Sequence, residues 1–290
     1  MWSVRTRNLF LAPTVLVLLG VGIFPLLFAL NVSLRNYQIT KPGLGFGWNN
    51  FANYTQVLTD SYFWESLGRT FLFLGMTLPV QFLLGLGIAL LLHRKDWALL
   101  RSVARVALVI PLATTPAVVG LVGRLIFDSD FGLANWLVTL TGTAKVTFLG
   151  DPNLALFAVA FMDTWQWTPF FALVLLASLT AVPQEAVEAA TLETDRRWDL
   201  FRFVEWPYLL PGLTAVLILR TADAMKLFDL IFVMTRGGPG SATELVSVYT
   251  QRIGFRVFDQ GVAAAMAILL LVVTIVLSRL YIRIFYRETQ

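Results

Sequence analysis

No cysteine occurs among the 290 residues, so disulfides, thiolate nucleophiles and cysteine-ligated metals are excluded. Histidine is nearly absent as well: His93, the only one, stands beside Arg94 in a charged stretch, the setting of a solvated turn residue rather than of a general base. With no nucleophile–base pair and no cluster of metal ligands, the chain does not read as an enzyme and no metal site is expected. It also lacks a GxxxxGK[ST] run, so it holds no ATP of its own and no cofactor is expected on it. Charge is scarce, at 14% of residues against roughly a quarter in soluble domains. The basic residues behind the net charge of +4 are spread over short segments rather than gathered in one patch, which argues against a nucleic-acid partner. No stretch shows the alternating polarity of a barrel strand.

Apolar residues make up 57% of the chain and come in runs of about 20 or more, long enough to cross ~30 Å of hydrocarbon as helices. The expected architecture is all-α: a polytopic membrane protein of six transmembrane helices forming one domain over 1–290. Spans are expected over 9–30, 66–92, 101–127, 154–180, 208–234 and 261–284. The first run exceeds the roughly 7 to 15 residues of a signal h-region and no small-x-small cleavage site follows it, so it reads as a retained span. Pro111 and Pro116 imply a kinked or unwound third span, exposing backbone at Thr114 and Thr115 that could line a path. Segment 31–65 reads as a small external element with a short helix near 50–58, and 128–153 reads as a loop. Arg5, Arg7, Arg94, Lys95, Arg101, Arg105, Arg279, Arg283 and Arg287 fall at one set of span ends, which places both termini in the cytoplasm.

One segment breaks the apolar pattern. Between residues 182 and 211 lie six acids (Glu185, Glu188, Glu193, Asp195, Asp199, Glu205) and three arginines (Arg196, Arg197, Arg202). By parity it is cytoplasmic, in water or against a partner. Glu185, Glu188 and Ala189 share a helix face, and Ala189 and Ala190 are small enough for close helix packing. The alternative is an amphipathic helix in the membrane interface, but six acids are unfavourable beside anionic headgroups.

Within this segment Glu188, Ala189 and Ala190 are followed by Thr194 and then by Val204, Trp206 and Pro207. Further on come FDLIFVMTRGGPGSATE (228–244) and FDQGVAAAMAILL (258–270). These runs resemble the permease subunits of binding-protein-dependent ABC importers, of the carbohydrate-uptake type with maltose- and glycerol-phosphate-like permeases, over nearly the whole chain. The resemblance implies the type I importer permease fold in a bacterial or archaeal plasma membrane. It also implies a coupling helix that docks through Glu185, Glu188, Ala189, Ala190, Thr194, Asp195 and Arg196 on one of two cytoplasmic ATPase subunits carrying ATP and Mg. The further partners implied are a second, different permease, this chain looking like the first of the two, and a soluble solute-binding protein met by 38–60 and 236–243. The family pattern has Gly where Thr194 stands and Leu where Trp206 stands. A left-handed turn suits that Gly, so either the local backbone differs or Asp195 supplies the turn.

Ionisable residues inside spans are costly and mark candidate function. At about 1.5 Å per residue, Asp163, Arg220 and Asp223 fall at similar depth near the midplane. Asp163, Trp167 and Phe170 share one face, as do Arg220, Asp223, Ala224 and Leu227, while Trp165 and Gln166 point elsewhere. A carboxylate, an arginine and an aromatic face suit a sugar or polyol. Mutual neutralisation of Arg220, Asp223, Lys226 and Asp229 is the alternative. The rival function on composition is an ion-coupled secondary transporter or channel, which usually shows internal repeats; none is seen here.

Overall fold

In the computed structural model, residues 4–41, 43, 45–93 and 98–285 are described. Arg94 and Lys95 lie outside them, as does Arg287; nor are the side chains of Arg5, Arg7 and Arg101 described. Among the described residues there is no strand, only two isolated bridges, Arg35 with Trp48 and Gln38 with Asp259. Five helical stretches are long and apolar enough to cross a membrane: Phe10–Ser33, Ser61–His93, Pro152–Thr180, Arg197–Met225 and Gln260–Phe285. A sixth is a bent pair, Ser102–Ala113 with Pro116–Ile126, turning by 96° at the break. The expected all-α, six-span architecture is borne out when that pair is counted as one broken span.

The chain forms two compact units. The first, Met1–Glu65 with Tyr249–Val273, holds α1 (Val4–Leu18) and α2 (Phe24–Ser33), joined through a π turn at Leu19–Ile23, and α3 (Ala52–Thr59). The short helix expected near 50–58 is α3, entered through Phe51 in the left-handed region at φ 62°. Asn53 donates to the carbonyls of Ser33 and Arg35 at 2.9 and 3.0 Å, pinning the segment after the first span. Tyr249 donates to Asp60 at 2.5 Å, and burial followed by this carboxylate pushes its phenol well above the usual range.

The second unit, Ser66–Val248 with Thr274–Gln290, contains most of α4 (Ser61–His93), then α5 (Ala98–Ala113), α6 (Pro116–Ile126) and α7 (Leu133–Leu140). It continues through α8 (Pro152–Thr180), α9 (Gln184–Glu193), α10 (Arg197–Leu200), a π turn at Phe201–Glu205, α11 (Trp206–Met225) and α12 (Asp229–Met234). α13 (Val246–Phe255) and α14 (Gln260–Phe285) run across the division between the units. The hub is α8, against which α5, α6, α11 and α12 pack. Its start is set by Asp151, whose carboxylate accepts from the amides of Asn153 and Leu154 at 2.7 and 3.3 Å, with Pro152 at the first position where no amide is missed. Close crossing is made possible by missing side chains: a Cβ on Gly85 of α4 would lie 2.5 Å from that of Phe171. A Cβ on Gly212 of α11 would overlap the Ser178 hydroxyl of α8. Small residues at such crossings are how membrane helices gain contact where no hydrophobic drive separates protein from lipid.

Two expectations are corrected. The fifth span runs over Arg197–Met225, not 208–234, because the charged stretch from Arg197 is already helical and buries Leu200, Glu205 and Leu209. It ends at Lys226, and α12 follows as a separate short helix. The stretch 128–153 is not all loop: α7 forms there, held by Asn135, which donates to the Val146 carbonyl and accepts its partner amide, each at 2.8 Å. The chain is helical again in α13 before the sixth span. At the family's Gly position Thr194 is extended at φ −150°, and Asp195 is not among the left-handed residues, so of the two alternatives it is the local backbone that differs.

Candidate transport site

The polar groups expected at mid-span are brought together by α4, α8 and α11. Asp163 and Arg220 are both fully buried and form an ion pair through Asp163 Oδ2 and Arg220 Nη2. The same guanidinium turns Nη1 toward Asp223 Oδ2 at 3.3 Å, and Asp223, about a third exposed, has Lys226 at 3.7 Å. Arg220 also stacks over Trp167, its central carbon 4.8 Å from the ring centroid, and Trp167 meets Phe170 edge-on at 6.0 Å. One cation is thus shared by two carboxylates and an aromatic face, which offsets the cost of burying charge in hydrocarbon.

One member missed in the sequence, Gln81, completes the cluster. Gln81 of α4, fully buried, donates to Asp163 Oδ2 at 2.9 Å and accepts from Arg220 Nε at 3.3 Å. Gln166, expected to point away, is buried and donates to the Thr114 carbonyl at 2.8 Å. That carbonyl is freed by the break before Pro116, where Thr115 is extended as a residue preceding proline must be. The signal available in the sequence was a lone amide inside an otherwise apolar run; a search for charge alone passes over it.

The remaining residues fall as follows. Ala224 and Leu227 are buried beside the cluster, Thr115 is exposed at the break, and Phe170 and Trp167 are part-buried. Asp163 Oδ1, Gln166 Oε1 and Trp167 Nε1, on one side of α8, are buried with no hydrogen-bond partner. Two acceptors and a donor are therefore left over where polar groups normally find partners. The opposite side of α8 contributes Phe161, Thr164, Trp165 and Thr168 to an apolar groove of about 640 Å³ with α4 and α5. The Thr168 hydroxyl there is spent on its own helix, at 2.7 Å from the Thr164 carbonyl. Hydrogen-bonding capacity thus lies on the side of α8 that holds Asp163.

The acid-rich helix α9 buries no residue. Glu185, Glu188, Ala189 and Leu192 project at i, i+3, i+4 and i+7, all exposed, with Leu192 at 90%. Glu188 accepts from Gln184 at 2.8 Å. Thr194 does with its hydroxyl what a left-handed residue would do with backbone: it accepts from the Arg196 amide at 3.2 Å and donates to Asp199 at 3.3 Å, starting α10. Ala190 is half-buried; Asp195 and Arg196 are exposed.

Helices that span, one of them broken, and a charged cluster closed inside the spans define a polytopic membrane transport component. Residues 61–288 match the family model of the binding-protein-dependent transport system inner membrane component, and the chain belongs to that family. It is a permease subunit of the inner membrane, as the segment around Glu188 and the 228–244 run led one to expect. It is 33% identical to the Thermococcus litoralis trehalose/maltose transport system permease protein MalF, over 95% of this chain and 92% of that one. It is 29% identical to the Agrobacterium fabrum sulfoquinovosyl glycerol transport system permease protein SmoG, over 95% and 89%. Its fold is that of a chain in a bacterial ABC transporter involved in the import of the acidic polysaccharide alginate, with TM-score 0.83, 18% identity and 98% of each chain covered.

Proposed function

We propose that this chain passes a sugar or polyol, released by a soluble binding protein on the outer face, across the membrane by alternating access driven by ATP hydrolysis on separate subunits. The observation that carries it is the Asp163–Arg220–Asp223 cluster against Trp167, with acceptors and a donor left unpaired, at mid-span in a member of this transport family. A polyhydroxy solute supplies hydroxyls for carboxylates and guanidinium, and CH faces for Trp167 and Phe170. The relatives named for trehalose, maltose and a sugar-linked glycerol support this substrate class.

The proposal extends to the partners. Both termini and α9 lie in the cytoplasm, where the exposed face of Glu185, Glu188, Ala189 and Leu192 docks on an ATPase subunit. Two such subunits carry ATP and Mg, and a second permease completes the path. The external stretches 38–60 and 236–243 meet the binding protein.

The test is uptake of radiolabelled trehalose, maltose and glycerol by the complete system, with and without Asp223→Asn. Asp223 is accessible and not the sole partner of Arg220, so the variant is expected to assemble normally while uptake falls about tenfold or more. Undiminished uptake in that variant would remove the cluster from the path.

A further inference from the structure

In the cluster, both ends of the Gln81 amide are committed. Its amide is the only group on α4 that reaches both ions: Nε2 donates to Asp163 Oδ2 at 2.9 Å, with the Asp163 carbonyl at 3.4 Å, and Oε1 accepts from Arg220 Nε at 3.3 Å. A neutral side chain that donates and accepts at once is required here. A carboxylate cannot donate, an ammonium cannot accept, and a hydrocarbon does neither.

The consequence is directional. With Gln81 on Nε and Asp163 on Nη2, Arg220 has Nη1 left for Asp223, and its plane lies over the Trp167 ring. With both Gln81 and Arg220 on Oδ2, Asp163 keeps Oδ1 unbonded. We propose that Gln81 is a positioning residue for transport: it fixes the rotation of the Asp163–Arg220 pair so that Oδ1, Asp223 and the Trp167 face are held ready for the hydroxyls and CH face of a sugar. This rests on the cluster being the transport site.

The distinguishing variant is Gln81→Glu. Protonated, the new carboxyl donates to Asp163 through O–H and accepts from Arg220 through C=O, reproducing the amide. Ionised, it only accepts, and it stands beside Asp163 as a like charge. The charged groups around it are Asp163 from α8 and Arg220, with Asp223 and Lys226 beyond, from α11.

Uptake is measured with radiolabelled trehalose or maltose, whichever the unaltered system takes up faster, from acid to alkaline pH and divided by the unaltered profile at each pH. Melting of the purified complex is followed over the same range. Gln81→Glu is expected to keep near-normal uptake at acid pH and lose about tenfold or more at alkaline pH, while the complex stays folded at the assay temperature throughout. Gln81→Leu is expected to raise KM at every pH. A flat relative profile for Gln81→Glu, or uptake lost only where the complex has already melted at the assay temperature, would make Gln81 a packing residue and overturn the proposal. Asp223→Asn, run alongside, separates the two levels: if it transports normally, the site assignment itself has failed, whereas if it is impaired while Gln81→Glu is flat, only the role of Gln81 has.

Discussion

Asp163→Ala, made alone, is expected to abolish uptake and to lower the amount of folded complex. Arg220 is fully buried and meets Asp163 inside the spans. Removing the carboxylate leaves a guanidinium held by Gln81 and by the more distant, partly exposed Asp223. Breaking one side of a buried pair costs about 3–5 kcal/mol, a large part of a domain's net stability. The paired change Asp163→Asn with Arg220→Gln removes both charges while keeping amide groups of similar size. It is expected to recover assembly, judged by size-exclusion chromatography and melting, without recovering uptake. A pair of neutral amides that transports normally would show that the charges serve folding alone.

The second large effect is expected in α9, just after the fourth span. Glu188→Lys reverses charge on a helix that buries nothing in its own chain, where the Glu188 carboxylate accepts from Gln184 on the same helix. Folding and melting of the isolated chain are expected to stay unchanged. What changes is the surface presented by Glu185, Glu188, Ala189 and Leu192. Charge reversal at the docking contact proposed for this face adds repulsion and a desolvated cation, so uptake is expected to fall about tenfold or more. Either the ATPase subunits fail to co-purify, or hydrolysis continues without answering to the binding protein. Unchanged co-purification, stimulated hydrolysis and uptake would remove α9 from the coupling path.

Much of this was legible because the bilayer imposes a length. Runs of apolar residues gave five of the six spans to within a few positions, and Pro116 marked the break, since it removes an amide and forces Thr115 out of helical conformation. The entry into the fifth span was not legible, for a geometric reason. Its buried positions are Leu200, Glu205 and Leu209, spaced by five and then by four, and the gap of five falls on the π turn Phe201–Glu205. A search for a period of 3.6 residues cannot find a face that shifts register in this way. Charge hid it further, for a stretch reading RRWDLFRFVEW looks like loop until Glu205 is seen to be buried.

The site was half legible. Asp163, Arg220 and Asp223 announced themselves as charges in apolar runs, and their depths agreed. Gln81 and Gln166 carry no charge and blend into their spans, although each makes a hydrogen bond between helices: Gln81 from α4 to α8 and α11, Gln166 from α8 to the Thr114 carbonyl. Thr194 shows the converse case, in which a departure from the family pattern is absorbed by side-chain chemistry. A hydroxyl that both accepts and donates makes the corner in extended backbone, where the family pattern has a glycine suited to a left-handed turn.

The claim on which the rest depends is that this permease works only with energy from separate ATPase subunits. It is tested by reconstituting the complete complex in proteoliposomes and following radiolabelled trehalose and maltose under two conditions: ATP and Mg with binding protein present, and a proton gradient without nucleotide. Uptake in the first condition and none in the second is the predicted result; uptake driven by the gradient alone would contradict the account.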